Sequence, residues 1–350
     1  MTSIPTPVTG LLGIRLPVIQ AGMSWASSSS ALPLAVTQAG GLGVVAAGPM
    51  RLDDLARVLD EMAAGTNDPW GVNLPLYRAG ADDVIDLLLE RPPPVLIASQ
   101  GGPRHYLERF HDVGTVCLHV VAGVEHARKA AAAGVDGLVV VGGEAGGHPP
   151  PAMVATQVLV RAVVSAVEDL PVVASGGVAD GAGLAAMLAL GAGAAQFGTR
   201  FLTTEEATVH PEYKEAVLAA GVEDTRTVGH GLGLIRAVEN DFTIRMQRLE
   251  ESAAELSVRR EEFQSASLKD AALHGRVREG KVEAGQSAGL IDAVLPATAV
   301  VERIVAEYRT ALTRLPLPVA TEVRPVVVEG AGHGPAPTSR AASTSAARST

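Results

Sequence analysis

The stretch VVASGGVADGAGLAAMLALGAGAAQFGT, Val172–Thr199, decides the reading of this chain. Two apolar runs in it, Val172–Ala174 and Ala195–Phe197, each end in a glycine-bearing turn. The turns are Ser175-Gly176-Gly177-Val178 and Gln196-Phe197-Gly198-Thr199. The first runs through Ala179-Asp180-Gly181 into an Ala/Leu-rich segment with the composition of a helix. Together they make one strand–helix–strand unit. Bare backbone N–H groups at such a turn, followed by a helix N-terminus, attract an anion because unpaired donors and the helix dipole converge there. In a barrel of eight such units, the loops after the last two strands commonly hold a cofactor phosphate. The competing reading is a pair of plain tight turns in which Gly only supplies a positive φ.

Outward from this unit the same rhythm repeats. Apolar or β-branched runs at Pro17–Ala21, Leu42–Ala46, Trp70–Asn73, Val95–Ala98, Val116–Val120 and Gly137–Val141 join the two above as eight strands. Helical stretches alternate with them at Ser28–Gln38, Leu52–Ala64, Asp82–Glu90, Arg104–Phe110, Val124–Ala133, Val154–Glu168 and Ala182–Leu190. Strict alternation implies parallel pairing, because parallel strands need long crossovers. Eight units close into a (β/α)8 TIM barrel. The strand runs are apolar throughout, as expected for strands covered on both faces.

Composition agrees with one large α/β fold. The 350 residues are 47% hydrophobic but only 3% aromatic, so Ala, Val and Leu must fill the core. A formal charge of −10, without a basic run interleaved with aromatics, argues against a nucleic-acid partner. The single cysteine, Cys117, rules out an intrachain disulfide and a cysteine-based zinc cluster, and no metal is expected. Met1–Gly10 lacks the apolar stretch of a signal peptide, and no run of about 20 apolar residues reads as a membrane span. A cytoplasmic protein is the expectation.

The expected organisation is a barrel core over 1–204, a charged helical insertion or cap over 205–290, and a segment over 291–329 that completes the barrel with a helix at Ala297–Leu312. The tail, 330–350, is Ser/Thr/Ala/Arg-rich after Gly-Ala-Gly-His-Gly-Pro. It has too little hydrophobicity to offset ordering entropy, so disorder is expected.

Glu144-Ala145-Gly146-Gly147-His148 follows the sixth strand and places His148 at the C-terminal mouth of the barrel. A histidine there, after two glycines that admit a ligand to the backbone, suits proton transfer near neutral pH. The alternative is a surface histidine before the rigid Pro149-Pro150-Pro151 turn. His119 in the fifth strand either points into the mouth as a substrate contact or is a satisfied core residue. Cys117, on the same face of that strand, reads as core packing. Trp25, just past the first strand, is a candidate pocket wall, whereas Trp70 starts a strand and reads as structural. The Ser27–Ser30 run reads as the cap of the first helix. Gly229-His230-Gly231-Leu232-Gly233 has no preceding strand run and no complete dinucleotide fingerprint.

A wider set of motifs occurs in one order: Ala39-Gly40-Gly41-Leu42-Gly43, Gly71-Val72-Asn73-Leu74, Gly134-Val135-Asp136-Gly137, Glu144–His148, Ala174–Asp180 and Gln196–Phe201. It continues through Thr204-Glu205-Glu206-Ala207, His210-Pro211 and Ala284–Leu290. Over roughly residues 14–310 the chain resembles the nitronate monooxygenase (2-nitropropane dioxygenase-like) family of FMN-dependent barrels. Related enoyl-acyl-carrier-protein and quinone reductases share much of the pattern. The resemblance implies that Ala21-Gly22-Met23 lies beside the flavin ring and that Asn73 hydrogen-bonds the cofactor. It implies that Gly146, Gly147, Ser175, Gly176 and Gly177 bind FMN together with Gln196, Phe197, Gly198 and Thr199. It also implies that His148 is the catalytic base.

Three departures bear on the substrate. Val141 stands where a polar residue often touches the flavin, Pro149-Pro150-Pro151 replaces small or basic residues, and Glu239-Asn240 replaces a common Arg-Asn pair. The resemblance implies oxidation of a small nitro compound or nitronate with O2. The alternatives are an NAD(P)H-dependent flavin reductase acting on enoyl thioesters or quinones, and a flavin-binding protein without turnover. A small-molecule substrate with O2 or NAD(P)H as co-substrate follows, and the oligomeric state stays open, a homodimer included.

Overall fold

The computed structural model describes residues 2–316. The expected disorder of 330–350, and the end of the 291–329 segment, lie outside the described residues. Eight strands form the sheet: β1 (Val18–Gln20), β2 (Val44–Ala46), β3 (Gly71–Pro75), β4 (Val95–Ser99), β5 (Val116–Val121), β6 (Gly137–Val141), β7 (Val172–Ser175) and β8 (Ala194–Phe197). Their order is β1-β8-β7-β6-β5-β4-β3-β2, with every pair parallel. The remaining seam closes through a parallel bridge between Ile19 and Leu42, with Gln20 N–H donating to Leu42 O and Leu42 N–H to Val18 O at 2.9 Å each. The (β/α)8 barrel expected from the sequence is the fold.

Strands that read as continuously apolar are sorted by alternation into two cores. Ile19, Val44, Ile97, Leu118, Val139, Val173 and Ala194 fill the barrel interior. Val18, Val45, Leu96, Cys117, Leu138, Val172 and Ala195 face the helices. Each fully buried Val, Leu or Ile contributes about 1.5–3 kcal/mol relative to exposure.

The chain opens with α1 (Pro7–Leu12), which the sequence reading did not identify. A reciprocal Thr6/Thr9 capping box starts it, and Val8 and Leu12 plug the base of the interior core. The helices between strands are α2 (Ala31–Ala39), α3 (Leu52–Gly65), α4 (Ala81–Glu90), α5 (Leu107–Asp112), α6 (Val124–Ala133), α7 (Thr156–Ala166) and α8 (Gly181–Ala189). The short α9 (Thr199–Leu202) follows β8 directly.

The insertion departs from the helical expectation. After α10 (Pro211–Ala219), an antiparallel hairpin pairs β9 (Thr225–Val228) with β10 (Ile235–Val238). The Gly229–Gly233 run is its connection, with φ of 88°, 79° and 139° at Gly229, Gly231 and Gly233. A strand therefore does precede this run, contrary to the sequence reading, but it is a short hairpin strand and no helix follows the turn. Then come α11 (Asp241–Glu251), α12 (Leu256–Ser265) and α13 (Leu268–His274). Asn240 caps α11 through a capping box with Thr243 and also donates to Val277 O and Gly280 O, so its role is structural. Glu239 forms an ion pair with Arg226 at 2.6 Å.

The eighth outer helix, α14 (Ala297–Arg314), packs against α8 and α2 and completes the ring. Residues 2–314 belong to one compact unit. Gly181, the first residue of α8, is the tightest point of that closure. A Cβ there would collide with Ile304 O and Tyr308 N of α14, and its N–H donates to Glu307 Oε2 at 3.0 Å. Gly181→Ala is therefore expected to destabilise the barrel by about 1–3 kcal/mol, the usual cost of overpacking. Urea unfolding reads this directly, and a midpoint equal to wild type would refute the packing argument.

Candidate active site

The C-terminal ends of the strands bring most of the expected residues to one mouth. Ala21 N–H donates to Phe197 O at 2.9 Å, joining the ends of β1 and β8. A Cβ on Gly22 would strike the Asn73 side chain, so the β1 and β3 ends are in direct contact. A Cβ on Gly198 would meet only Ala21 Cβ and Met23 Sδ, at 3.8 and 3.9 Å, so this turn faces open space beside Met23. Gln196 Nε2 donates to Ser175 Oγ at 3.2 Å across β7 and β8. Asn73 is half-buried at the mouth and donates to Ile97 O at 3.1 Å, which leaves its amide oxygen available.

At the two glycine turns, the N–H groups of Gly176, Gly177, Gly198 and Thr199 donate to no acceptor among the described residues. Gly176 and Gly177 have φ of 103° and 69°, and with Gly198 they are half-buried rather than open to bulk water. Unpaired donors at the ends of two adjacent strands suit a phosphate. The glycines also allow close stacking of loops. Gly176 lies against Gly142 and Thr156, and a Cβ on Gly177 would come within 3.2 Å of Glu144 Cβ.

The His148 loop is clamped from several directions. Gly147 and Arg236 exchange both backbone hydrogen bonds, at 3.1 and 2.7 Å, tying the loop to β10. The buried Arg236 side chain donates to Gly143 O and to Thr225 Oγ1, each at 3.0 Å. Gly146 leaves no room for a Cβ against Ala284 and Gly285. Gln286 N–H donates to Glu144 O at 3.1 Å, and Gly285 N–H donates to Thr199 Oγ1 at 2.9 Å. The Glu144 carboxylate accepts from Thr156 N–H and Oγ1, so it caps α7, whose own N-cap position holds Ala155.

His148 is solvent-accessible, yet its proton affinity lies below the ordinary histidine range. Burial within the concave mouth is the larger cause, and the nearby Lys281 charge is the second. Both disfavour the imidazolium, so the ring is neutral at pH 7 and able to accept a proton. Lys281 and Glu283 are functional candidates that the sequence reading missed. They flank buried Val282 immediately before the Ala284–Leu290 stretch, and that polar–apolar–polar alternation was their only sequence signal. The half-buried Glu283 carboxyl is raised to about 7 by burial, against the opposing charge of Lys281.

Other expected residues lie elsewhere. His119 faces the helices, between interior-facing Leu118 and Val120, and its Nδ1 is hydrogen-bonded to buried Tyr106 Oη at 2.9 Å. Alternation along β5 turns it away from the mouth, so the substrate contact is corrected to a satisfied core histidine. Cys117 shares that outer face and is buried, with its thiol pushed up to about 12. Phe197 brings only its backbone to the mouth, because its ring packs edge-to-face on Phe201 in the outer core. The serine run supplies no side-chain cap to α2. Ser27 and Ser28 instead accept from Met23 N–H and Trp25 N–H, at 3.0 and 3.1 Å, and shape the loop after β1. In that loop Trp25 is half-buried at φ 68°, with Lys269 Nζ 5.7 Å from its ring centroid.

The sequence model of the nitronate monooxygenase family matches residues 5–86 and 79–307. A Mycobacterium tuberculosis protein named (3aS,4S,5R,7aS)-5-hydroxy-7a-methyl-1-oxo-octahydro-1H-indene-4-carboxyl-CoA dehydrogenase is 40% identical over 63% of this chain. The matches to it and to its Rhodococcus jostii namesake span 62% and 63% of those relatives' lengths. FabK from Thermotoga maritima superposes with a TM-score of 0.83 at 38% identity, over 89% of this chain and 98% of that one. Nitroalkane oxidase from Streptomyces ansochromogenes gives 0.78 at 30% identity, over 89% of this chain and all of that one. With a model matched along nearly its whole described length, on a barrel that carries the family's motifs at its mouth, this chain belongs to the nitronate monooxygenase family.

Proposed function

We propose that this protein is an FMN-dependent oxidoreductase of the nitronate monooxygenase type, acting on a small nitro compound with His148 as the base. The observation that carries the reading is an accessible histidine on a clamped loop after β6, at the same strand-end face as the unpaired backbone donors of the β7 and β8 turns. The N–H groups of Gly176, Gly177, Gly198 and Thr199 would hold the FMN phosphate, and Asn73, Gln196 and the Ala21-Gly22-Met23 turn would line the rest of the cofactor. FMN held there would supply the redox chemistry that carries electrons from the nitronate to O2. His148 removes the proton from the carbon next to the nitro group, and the electron pair left behind delocalises onto the nitro oxygens. The clamp on Gly146 and Gly147 keeps the imidazole in place, and Trp25 forms part of the entrance. Among the described residues no helix is long and apolar enough to cross a membrane. A cytoplasmic location is inferred from the single buried cysteine.

A second reading has specific support. The Mycobacterium tuberculosis relative is named for a carboxyl-CoA thioester, and the T. maritima structure is a FabK. Under that reading the chain handles an acyl thioester, with His148 moving a proton beside the thioester carbonyl. Anaerobic mixing separates the two. Nitronate bleaches the flavin under the first reading, while NAD(P)H or an acyl-CoA does so under the second. Bleaching by none of these leaves a flavin-binding protein without turnover.

The purified protein is expected to be yellow and to release FMN on denaturation, identified by chromatography; stoichiometric FAD would refute the cofactor assignment. His148→Ala is expected to retain FMN and lose activity on neutral nitroalkanes by roughly 10²–10⁴-fold, the usual contribution of general acid–base catalysis. Pre-formed nitronate arrives deprotonated, so its oxidation should suffer far less; equal losses on both substrates would rule out the base role. Because burial and Lys281 depress His148, the acid limb of kcat/KM for the neutral substrate should be centred below pH 6.5, the ordinary histidine value. An acid limb centred above pH 6.5 would contradict the described environment.

A further inference from the structure

Among the charged groups near the His148 loop, Lys281 lacks the partner a half-buried cation normally has. Its ammonium lies over the Phe263 ring, 3.5 Å from the centroid, and 5.7 Å from that of Phe242. No carboxylate oxygen lies within 4.0 Å of it among the described residues. The aromatic faces hold a cation by their quadrupoles but accept none of its conventional hydrogen bonds.

The segment carrying Lys281 is fixed beside the base. Val238 N–H, at the end of β10, donates to Val282 O at 2.8 Å. Tyr213 Oη of α10 donates to Glu283 O at 2.9 Å. One turn further, Gln286 is bonded to Glu144, as described above. A Cβ on Gly147 would come within 3.2 Å of Glu283 Oε2, so this carboxyl sits against the residue preceding His148. The segment carrying Lys281 and Glu283 therefore packs against the loop that carries His148.

We propose that Lys281 is a further catalytic residue, the ammonium that contacts the oxyanion formed when His148 deprotonates the substrate. The assignment rests on the His148 reading and deepens it by naming the recognised group as a small delocalised oxyanion. No bond beyond that proton transfer is involved. The proton moves to the imidazole, the electron pair spreads onto oxygen, and Lys281 meets the charge as it develops, where a preorganised cation is worth most. Glu283 tunes the contact. Raised to about 7, its carboxyl is largely neutral below that pH and leaves Lys281 uncompensated. Above it, the carboxylate competes with the substrate oxyanion. The other titratable groups near this pair are His148, whose proton affinity burial and Lys281 lower, and the Tyr213 phenol, held well above its ordinary value by burial.

The test uses nitrate, a planar oxyanion that cannot react, against the holoenzyme. In wild type, nitrate should inhibit nitronate oxidation competitively and bind measurably by calorimetry. Lys281→Met should weaken nitrate binding by about 10–100-fold, the range for losing a charged hydrogen bond. Lys281→Arg should recover part of the loss, and in Lys281→Met the acid limb of the neutral-substrate profile should move to higher pH. Unchanged nitrate binding with an unmoved limb overturns the proposal. If Lys281→Met does not fold, Glu283→Gln decides the matter. It should bind nitrate equally well at about pH 6.5 and 8, where wild type weakens, and a wild type with no such weakening refutes the pair. His148→Ala keeps failures distinguishable, because it should lose neutral-substrate turnover while still binding nitrate. Calorimetry with nitrate tests Lys281 even if the enzyme oxidises no nitro compound.

Discussion

The site depends on one backbone contact, the paired hydrogen bonds between Gly147 and Arg236 that tie the loop after β6 to the hairpin of the insertion. A loop carrying a catalytic group at a barrel mouth has few internal bonds of its own. Its geometry must come from whatever packs on it. Here Arg236 also bonds Gly143 O, while Ala284 and Gly285 press on Gly146 too closely for any side chain. The insertion is thus part of the machinery that positions His148. Gly146 is required because two backbones touch there, which adds a packing reason to the cofactor role implied by resemblance.

The same contact sets the electrostatics. Bringing 281–286 against 144–148 places a cation and a carboxyl of raised proton affinity beside an imidazole of lowered affinity. Burial shifts each toward its neutral form first; the Lys281 charge adds to that shift in His148, whereas Lys281 and Glu283 oppose it in one another. Only Lys281 has aromatic faces to offset the cost of keeping its charge. The proposed base and oxyanion contact would draw on this combination, a histidine held toward its neutral form beside a cation without a carboxylate partner among the described residues.

Much of the fold was legible in the sequence, for identifiable reasons. All eight strands and the helices between them fall within a few residues of their expected bounds, because parallel strands buried on both faces leave apolar runs and each crossover needs a helix. The shift in the fourth crossover is small: a short 3-10 turn at Pro103–His105 precedes α5, where one helix from Arg104 was expected. The hairpin was not legible. Its strands are only four residues each and sit among charged helical segments, so the local pattern was outweighed by its surroundings. Helix α1 was missed for a similar reason, since at six residues it shows little periodicity and is stabilised by plugging the barrel.

By itself the sequence determined the barrel, the glycine turns after β7 and β8, and the placement of His148 after β6. These follow from local spacing, because a strand followed by a turn must present that turn at the C-terminal end. Only the tertiary structure decided which way the strand residues face and which distant segment covers the loop. His119 turned outward because register, set by pairing with β4 and β6, fixes the face of every residue on β5. Lys281 and Glu283 joined the site because the hairpin, α10 and the Glu144 carbonyl hold their segment there. Such a contact between residues far apart in the chain depends on packing, and no short window of sequence contains it.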